Sequence, residues 1–284
     1  MNVLLTGKNG FIGSFFYKNY ADKYNIKTFS FQYDNFEKLD LSNIDVIVHL
    51  SALVHQMGGA SKEAYNKINV DNSFNLAKKA KKSGVKHFIF MSTIKVYGEE
   101  SITAYTEDTI CTPQDDYGRS KLKAEEALAT LENNSFTLSI IRTPIVYGSG
   151  VKANILNLTK LVKISPLLPF AKIENKRSMV YIENLLALID TLIEQKKSGI
   201  YLASDNSYFS TTEFINYIAL GLEKKVYLVK IPFFEVLLKN LRPQLYQRLY
   251  QDLYLDNSQT KRNLNFENPF TSEVGVVKML KGFK

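Results

Sequence analysis

Apolar and polar positions alternate along the first half of the chain in two repeating patterns. Short runs rich in Val, Ile, Leu and Phe are followed by longer segments whose apolar positions recur every three to four residues. The runs carry few polar residues, which is typical of strands in a sheet that helices cover on both faces. The pattern therefore predicts βαβ units and an α/β fold built on a parallel sheet, rather than a series of hairpins.

The alternation places strands and helices at defined positions. The predicted strands are NVLLT (2–6), KTFSF (27–31), DVIVHLS (45–51), KHFIFMS (86–92) and FTLSIIR (136–142). The predicted helices lie near residues 12–22, 61–83 and 117–132, and Gly84 ends the second of them. Elements in this order predict a Rossmann-type, doubly wound parallel sheet.

The regular alternation weakens after residue 150, where prolines such as Pro232 and Pro243 interrupt the pattern. We therefore predict that residues 1–150 form the sheet domain and that residues 151–284 form a smaller, mixed C-terminal lobe. The segment from about 176 to 205 contains two apolar runs that are candidates to return to the main sheet.

The chain carries 36 Lys and Arg residues against 28 Asp and Glu residues, which gives a net charge of +8 and a pI near 9.2. A basic surface can bind nucleic acid, but these lysines are spread along helix faces such as the one with Lys78, Lys79, Lys81 and Lys82. Such a face is typical of a solvated helix, so we expect no nucleic-acid partner. A substrate that carries phosphate groups would suit the same surface.

Cysteine and histidine are too few for a disulfide or a metal centre. Cys111 is the single cysteine of the chain, and His49, His55 and His87 do not have the spacing of metal ligands. No apolar run approaches the roughly 18 residues of a membrane-spanning helix. We therefore expect a cytoplasmic protein without a metal or a membrane span.

One segment of the C-terminal lobe has an unusual composition. The stretch from 231 to 254, IPFFEVLLKNLRPQLYQRLYQDLY, is both aromatic and basic. We interpret it as packing helices of the lobe, with peripheral attachment to a membrane surface as the alternative.

Three glycines at regular spacing follow the first predicted strand in MNVLLTGKNGFIGSFF. Gly7, Gly10 and Gly13 stand where the strand gives way to a helix that begins near Phe11 and Ile12. In such a loop the first glycine allows a tight turn, and the later ones let the backbone approach a pyrophosphate and pack on the strand. The N–H groups at the start of the helix then bind the phosphates. No Gly-Lys-Ser/Thr sequence follows, which excludes a P-loop, so the loop predicts a dinucleotide site.

The spacing Gly7-x-x-Gly10-x-x-Gly13 resembles the extended short-chain dehydrogenase/reductase family of nucleotide-sugar epimerases, dehydratases and ketoreductases. HLSA (49–52) is similar to the segment at the end of a strand that lines the cofactor in this family. The resemblance implies NAD or NADP as cofactor, bound by the sheet domain. It further implies cofactor contacts from Phe11, Ile12, Asp40, Leu41, Leu50, Ser51, Ala52, Asn69 and Pro144.

The sequence leaves the choice between NAD and NADP open. The family carries an acidic residue at the end of its second strand, where it holds a ribose hydroxyl, and TFSFQYDN has none at that place. Asp34 comes late, and Ser30 or Gln32 occupies the position. Without a carboxylate there, the 2′-phosphate of NADP is not repelled, and Lys8 in the glycine loop would favour it.

Tyr117 and Lys121 in YGRSK stand four residues apart, so both side chains lie on one face of the helix that starts there. The pKa of a free tyrosine is near 10, which makes it a poor base at neutral pH. A lysine ammonium beside it, together with the positive ring of an oxidised nicotinamide, is expected to lower that pKa. Tyr117 would then exchange a proton with a sugar hydroxyl or ketone while hydride moves to or from the nicotinamide. In the family that this chain resembles, both residues also contact the cofactor.

A hydroxyl pair ends the strand upstream, in MSTIKVYG (91–98). The segment resembles the Ser-Ser/Thr-x-x-VYG segment of the family, and Thr93 matches its catalytic hydroxyl. The resemblance implies that Thr93 hydrogen-bonds the reacting oxygen of the substrate beside Tyr117. A 4,6-dehydratase would carry an Asp-Glu pair after this hydroxyl, whereas this chain has Ile94 and Lys95.

Two later segments resemble the nucleotide-sugar site of the family. In RTPIVYGSGVKAN (142–154), Asn154 falls at a phosphate-binding asparagine. In KRSMVYIEN (176–184), Arg177 matches an arginine that pairs with the diphosphate, to which a planar guanidinium is suited. The resemblance therefore implies a UDP-sugar substrate bound by the C-terminal lobe. His55, just past HLSA, is a further candidate to line the substrate pocket.

Together these residues predict hydride transfer at C4 of a UDP-sugar. We favour a 4-ketoreductase that completes 6-deoxy-N-acetylhexosamine donors for surface polysaccharide, because the C-terminal half is shorter than in typical sugar epimerases. A UDP-glucose or UDP-N-acetylglucosamine 4-epimerase is the alternative, and a protein that senses NAD(P) without turnover is the non-enzymatic one. We also expect a homodimer.

Overall fold

The computed structural model describes residues 1–54 and 60–281. The strands are β1 (Asn2–Thr6), β2 (Asn25–Phe29), β3 (Val46–His49), β4 (His87–Thr93), β5 (Thr137–Thr143), β6 (Ile145–Tyr147), β7 (Leu167–Leu168), β8 (Met179–Tyr181), β9 (Gly199–Leu202) and β10 (Tyr227–Leu228). Six of them form the central sheet in the order β2-β1-β3-β4-β5-β9, with all neighbours parallel.

Helices cover both faces of this sheet and build most of the C-terminal lobe. They are α1 (Phe11–Tyr20), α2 (Lys62–Tyr65), α3 (Asn72–Lys82), α4 (Asp116–Ala129), α5 (Ala153–Ile164), α6 (Ile182–Gln195), α7 (Thr211–Gly221), α8 (Phe234–Leu241), α9 (Pro243–Tyr250), α10 (Ser258–Leu264) and α11 (Ser272–Leu280). A π-helical turn, Asn66–Asp71, joins α2 to α3, and a 3-10 turn, Ile94–Val96, follows β4. In the part of the chain that the structure describes, no helix combines the length and the apolar character that crossing a membrane requires.

The predicted α/β fold class with a doubly wound parallel sheet is confirmed. Every residue of β3 and β4 is buried, as a sheet covered on both faces requires. The predicted second strand is two residues too late, because the chain leaves the sheet after Phe29 and turns at Ser30. The predicted helix over 61–83 is three pieces, since the π-helical turn interrupts it.

The order of the strands creates one crevice at the carboxyl edge of the sheet. After β1 the chain adds β2 on one side and then β3 on the other, so the loops that follow β1 and β3 diverge. Ligands of open α/β sheets bind in the crevice at such a point. The glycine loop and the HLSA segment therefore lie on its two sides.

The segment from 176 to 205 divides between two sheets. β9 pairs with β5 at the edge of the main sheet. β8 pairs with β6 in a separate two-stranded sheet instead. The division follows from Pro144, which lacks an N–H donor and separates β5 from β6, so the chain leaves the main sheet there.

Candidate active site

The glycine loop closes tightly around the end of β1. Gly7 has a φ of +76°, in the left-handed region that side chains disfavour. A Cβ on Gly7 would lie 2.8 Å from the carbonyl carbon of Leu50 and from the nitrogen of Ser51. This position therefore needs glycine for its backbone angle and for the close approach of the chain after β3.

Gly13 lets α1 pack directly on this turn, since its Cβ position lies only 2.1 Å from the carbonyl oxygen of Gly7. Gly10 is the N-cap of α1, no side chain caps the helix, and no acidic residue stands in its first turn. The first N–H groups of α1, with those of Phe11 and Ile12 among them, can therefore bind an anion that the helix dipole also favours. This cradle, which a Cβ would fill, fits the phosphates of a dinucleotide.

A cleft of about 700 Å³ extends from the cradle along the carboxyl ends of β1, β2 and β3. Ser51 and Ala52 line it, in the place that the resemblance implies. Lys8 lines it as well, and its Nζ lies 3.7 Å from the ring centroid of Tyr17. The cleft is therefore the place where the described residues would hold the rest of the dinucleotide.

Asp34 lies beside the end of β2, although the sequence has no acidic residue at the end of the predicted strand. The N–H of Asp34 donates to the carbonyl of Ser30 at 2.8 Å, which closes a turn. The Asp34 carboxylate accepts a hydrogen bond from the N–H of Ser30, also at 2.8 Å, and both residues line the cleft. A turn therefore brings Asp34 beside Ser30 at the end of β2, and which of Asp34, Ser30 and Gln32 takes the place of the family carboxylate stays a prediction.

Four other predicted cofactor residues lie beside the cleft rather than in it. Leu41 is part of the core at 2% exposure, and Asp40 turns its carboxylate to the backbone N–H two residues on, at 3.0 Å. Leu50 packs against the core, and Pro144 is buried at the link between β5 and β6. None of the four is among the described residues that line the cleft. Their contacts with the cofactor stay predictions.

Asn69 ties three elements together below the cleft. Its side-chain carbonyl accepts a hydrogen bond from the N–H of Leu53 at 2.8 Å. Its amide group donates to the carbonyl of Leu53 at 3.0 Å and to the hydroxyl of Ser120 at 2.9 Å. Both amide hydrogens are used within the protein, so Asn69 holds the chain after β3 against α4. The cofactor contact expected of Asn69 stays a prediction.

His49 belongs to a buried chain of hydrogen bonds. Its Nδ1 lies 2.8 Å from Thr6 Oγ1, and its Nε2 lies 2.9 Å from Ser73 Oγ. Burial lowers the pKa of His49 to about 3, with a smaller effect from the charge of Lys121, so the ring is neutral at neutral pH. Residues 1–54 and 60–281 contain no cluster of His, Cys, Asp and Glu that could hold a metal ion. His55, the other histidine considered for the site, lies outside the described residues.

Helix α4 begins directly against the turn that follows β4. Asp115 is its N-cap and accepts a hydrogen bond from the N–H of Gly118 at 2.6 Å. A Cβ on Gly118 would lie 2.6 Å from the carbonyl oxygen of Lys95, so glycine is what allows this approach. The Lys95 ammonium also binds the Asp115 carboxylate at 2.6 Å. These contacts hold Tyr117, in the first turn of α4, at the end of β4.

The structure brings Thr93, Tyr117 and Lys121 together. The hydroxyl of Thr93 lies near enough to Tyr117 to lower the pKa of its phenol. Lys121 lies one turn further along α4, buried, with its Nζ 3.9 Å from the ring centroid of Phe90. The ring of Tyr65 packs beside that of Tyr117, with 6.2 Å between the centroids. The phenol therefore has the Thr93 hydroxyl and the ring of Tyr65 as neighbours.

Burial dominates the electrostatics of this group. Burial raises the pKa of Tyr117, the carboxylate of Asp115 raises it further, and the hydroxyl of Thr93 lowers it. Burial also lowers the pKa of Lys121 to about 7, against the opposing charge of Glu125. The charge of Lys121 is not among the causes that shift the pKa of Tyr117 in the protein alone. The predicted lowering needs a further positive charge, such as that of an oxidised nicotinamide ring.

A buried ion pair supports this part of α4. The Glu125 carboxylate binds the guanidinium of Arg142 at 2.6 Å, and both side chains are 4% exposed. Ser92 donates a hydrogen bond to Glu125, and Arg142 donates one to the hydroxyl of Tyr97 at 2.7 Å. Buried charges are stable only with such partners. Of the hydroxyl pair at the end of β4, Ser92 thus serves the scaffold while Thr93 faces the site.

A second cavity, of about 290 Å³, carries the predicted substrate residues Asn154 and Arg177. Arg248, which has no signature in the sequence, joins them and lies 3.4 Å from the side-chain carbonyl of Asn154. Burial lowers the pKa of Arg177 to about 10, and the charge of Arg248 contributes, against Glu99 and Asp252. Among the described residues neither arginine forms an ion pair. Two arginines that repel each other beside the uncapped start of α5 suit a diphosphate.

A smaller cavity, of about 250 Å³, lies beside Arg248 and Asp115. Lys95, Gln114, Gln247 and Arg248 line it, and Arg248 lines the second cavity as well. Amide and ammonium groups are suitable partners for sugar hydroxyls. The cavity that Arg248 lines therefore reaches Asp115, the N-cap of the helix that carries Tyr117 and Lys121.

The sequence of this chain is similar to those of known proteins. The model of the NAD dependent epimerase/dehydratase family matches residues 3–203. A UDP-glucose 4-epimerase from Vibrio cholerae is 36% identical over 313 residues, covering 99% of this chain and 95% of that protein. An N-acetyl-alpha-D-glucosaminyl-diphospho-ditrans,octacis-undecaprenol 4-epimerase from Escherichia coli O157:H7 is 27% identical over 252 residues, covering 82% of this chain and 76% of that protein.

A solved structure shares the fold over the whole chain. The UDP-glucose 4-epimerase of Thermotoga maritima with UDP-glucose has a TM-score of 0.80 at 20% identity, covering 100% of this chain and 98% of that one. At this identity the likeness shows the fold alone. The family match extends over more than half of the residues and includes the glycine loop, Thr93, Tyr117 and Lys121. The chain therefore belongs to the NAD dependent epimerase/dehydratase family of enzymes.

Proposed function

We propose that the protein is an NAD-dependent 4-epimerase of a UDP-sugar. The observation that carries this proposal is the Thr93 hydroxyl beside Tyr117, with Lys121 one turn further along α4, in a protein that also has a dinucleotide cleft and an arginine-lined cavity. The relative from Vibrio cholerae, a UDP-glucose 4-epimerase, supports the same reaction. A 4,6-dehydratase is disfavoured, since Ile94 and Lys95 stand where its acidic pair would be.

The chain's own residues move the proton in this proposal. The bound dinucleotide supplies the hydride acceptor and donor for C4 of the sugar. Tyr117 takes the proton of the 4-hydroxyl while C4 becomes a ketone, and it returns that proton when the ketone is reduced. Thr93 holds the same oxygen by a hydrogen bond, and the positive charge of Lys121 stabilises the phenolate. One proton and one hydride leave the sugar and one of each returns, so the reaction is redox-neutral.

Inversion at C4 requires the ketone to present its other face before it is reduced. Arg177 and Arg248 would hold the diphosphate during this turn, because guanidinium groups bind phosphate oxygens in a bidentate manner. Lys95 and Gln114 offer the sugar hydroxyls partners in either orientation. Anchoring through the diphosphate would thus let the ring turn over without release of the ketone.

We further propose NAD rather than NADP as the cofactor. The carboxylate of Asp34, held at the end of β2 by the N–H of Ser30, would accept hydrogen bonds from the ribose hydroxyls. The same negative charge would repel a 2′-phosphate. Lys8, which the sequence suggested as a partner for that phosphate, packs its ammonium against the ring of Tyr17.

The 4-ketoreductase favoured from the sequence depended on the short C-terminal half. The relative from Vibrio cholerae favours the epimerase instead, since its alignment with this chain covers 95% of that protein. Thr93, Tyr117 and Lys121 would serve a reductase in the same way. The fate of the dinucleotide distinguishes the epimerase from the reductase. An epimerase regenerates its bound dinucleotide in each turnover, whereas a reductase consumes an added one.

A second candidate substrate is the same kind of sugar diphosphate carried on a polyprenyl lipid. The cavity beside Arg177 is lined mainly by apolar side chains, among them Leu158, Leu161, Phe170 and Phe214. Such a lining suits an isoprenoid chain, whereas a uracil ring needs hydrogen-bond partners. The relative from Escherichia coli is named for a diphospho-undecaprenol substrate.

The test is to incubate the purified protein separately with UDP-glucose, UDP-N-acetylglucosamine and undecaprenyl-diphospho-N-acetylglucosamine. We expect the galacto epimer of at least one UDP-sugar to form without added dinucleotide, and NAD to be released when the protein is denatured. Turnover of the lipid-linked sugar alone would establish the second candidate. Turnover only of a UDP-4-keto sugar, with consumption of added NADH or NADPH, would establish the reductase. Bound dinucleotide without any turnover would establish a sensing protein.

A further inference from the structure

An apolar surface stands exposed on the C-terminal lobe. The helices α8 and α9 contain no buried residue. Phe233, Val236, Leu237 and Leu241 are each more than half exposed. Their spacing of three, one and four residues places them on one side of α8. These four residues are called the apolar patch below.

Phe233 is the most exposed member of the patch. Its side chain is 84% exposed, and its φ of 61° lies in the left-handed region that a bulky residue disfavours. The neighbouring Phe234 points the other way and packs on Phe170, with 6.2 Å between the ring centroids. Leu249 and Tyr250 of α9 also pack against the core. The lobe therefore holds these helices from the inside and turns the apolar patch outward.

Basic side chains flank the patch. Lys230, Lys239 and Arg242 are exposed, and Glu235 is the single acidic residue between positions 230 and 245. Apolar side chains bordered by Lys and Arg are typical of helices that lie at the surface of an anionic bilayer. A second copy of this chain would bring the same positive charges together, which disfavours pairing through this face.

We propose that the apolar patch docks the protein on a membrane surface that contains anionic phospholipids. A cavity of about 530 Å³ joins the end of α8 to the diphosphate residues, with Leu241, Arg242 and Leu245 at one side and Asn154 and Arg248 at the other. Docking would therefore place the mouth of the substrate site at the lipid surface. The attachment does not depend on the identity of the sugar.

The first test is flotation of the protein with vesicles. We expect binding to vesicles made of equal amounts of phosphatidylglycerol and phosphatidylcholine. Vesicles of phosphatidylcholine alone are expected to bind more weakly, by about fivefold for each basic side chain near the surface. High salt is expected to remove the same electrostatic part of the binding.

The second test changes the patch. The double variant Phe233→Ser/Leu237→Ser is expected to lower the vesicle partition coefficient by about tenfold or more, because two large apolar side chains no longer enter the lipid. Ile102→Ser/Ile110→Ser is the matched control, since those side chains are 97% and 82% exposed elsewhere on the chain. The control should bind vesicles as the wild type does. Circular dichroism of both variants establishes that they are folded.

Three outcomes would overturn the proposal. The wild type might fail to float with anionic vesicles, or the control variant could lose as much binding as the patch variant. The patch variant could instead dissociate an oligomer in light scattering while its vesicle binding stays unchanged, which would make the patch a contact between copies. Turnover of a soluble UDP-sugar is measured separately, so a failure of the proposed function is distinguished from a failure of docking.

Discussion

Tyr117→Phe is expected to lower kcat by about 100- to 10,000-fold, the range in which a positioned proton-transfer group contributes. The substitution removes one oxygen and leaves the ring in place beside Tyr65. KM and the content of bound dinucleotide are expected to stay at the wild-type level, because the glycine loop is untouched. The measurement is a substrate series for kcat and KM, with the dinucleotide quantified after denaturation.

Tyr65→Phe is the matched control for this experiment. Its ring centroid is 6.2 Å from that of Tyr117, and its hydroxyl lies 3.5 Å from the carbonyl oxygen of Val54. Loss of that weak contact is expected to change kcat by no more than about threefold. If the two variants kept similar turnover, Tyr117 would not be the group that moves the proton.

Gly13→Ala is expected to empty the dinucleotide site. The added methyl group would stand 2.1 Å from the carbonyl oxygen of Gly7, so the first turn of α1 has to shift. We expect a loss of about 1–3 kcal/mol in the free energy of unfolding. Loss of one hydrogen bond from the backbone to a charged phosphate, at about 1.5–3 kcal/mol, lowers the affinity at least about tenfold. Denaturant unfolding and the content of bound dinucleotide measure the two effects.

Ser14→Ala tests the neighbouring position as a control. Ser14 is exposed, and its hydroxyl donates to the carbonyl of Phe11 at 3.0 Å. Its loss is expected to leave both stability and dinucleotide content near the wild-type values. A Gly13→Ala protein that retained as much dinucleotide as Ser14→Ala would contradict the role given to the cradle.

The fold could be predicted where one local pattern decides it. The strands β1 and β4 are buried along almost their whole length, so their apolar runs mark them in the sequence. Strand β2 carries exposed positions, and its predicted bounds are wrong by two residues. The π-helical turn at Asn69 has no signature, because it arises from the hydrogen bonds of Asn69 to Leu53 and Ser120 in other elements.

The site follows the same rule. Thr93, Tyr117 and Lys121 are set by short motifs on two adjacent elements, so the sequence places them together. The strand pattern does not predict the position of Asp34, because a turn after β2 brings it beside Ser30. The spacing of four residues between Ser30 and Asp34 is compatible with such a turn. The sequence does not predict Arg248 as a site residue, because it lies on a helix far along the chain and contacts Asn154 only in the folded protein.

The pKa values of the site residues and the oligomeric state are the properties that the sequence predicts least well. Burial is the largest cause of the pKa shifts of Tyr117 and Lys121, and the spacing of the two residues on a helix does not reveal it. The expected homodimer and cytoplasmic location stay predictions. Two lysines of the basic face of α3 have partners within the protein. Lys79 and Lys81 donate hydrogen bonds to backbone carbonyl groups at 2.7 and 2.6 Å.

The central claim is that Tyr117 exchanges the proton at C4 when an oxidised nicotinamide lies beside it. The pKa of the Tyr117 phenol with each form of the dinucleotide tests this claim most directly. The measurement is a pH titration of phenolate absorbance, taken as the difference between the wild type and Tyr117→Phe, with NAD⁺ or NADH bound. Burial and Asp115 raise the pKa of Tyr117 in the protein alone, so its phenol stays protonated through neutral pH. A positive ring beside the phenol favours the phenolate, so the titration midpoint should be lower with NAD⁺ than with NADH. The same midpoint in both states would contradict the account.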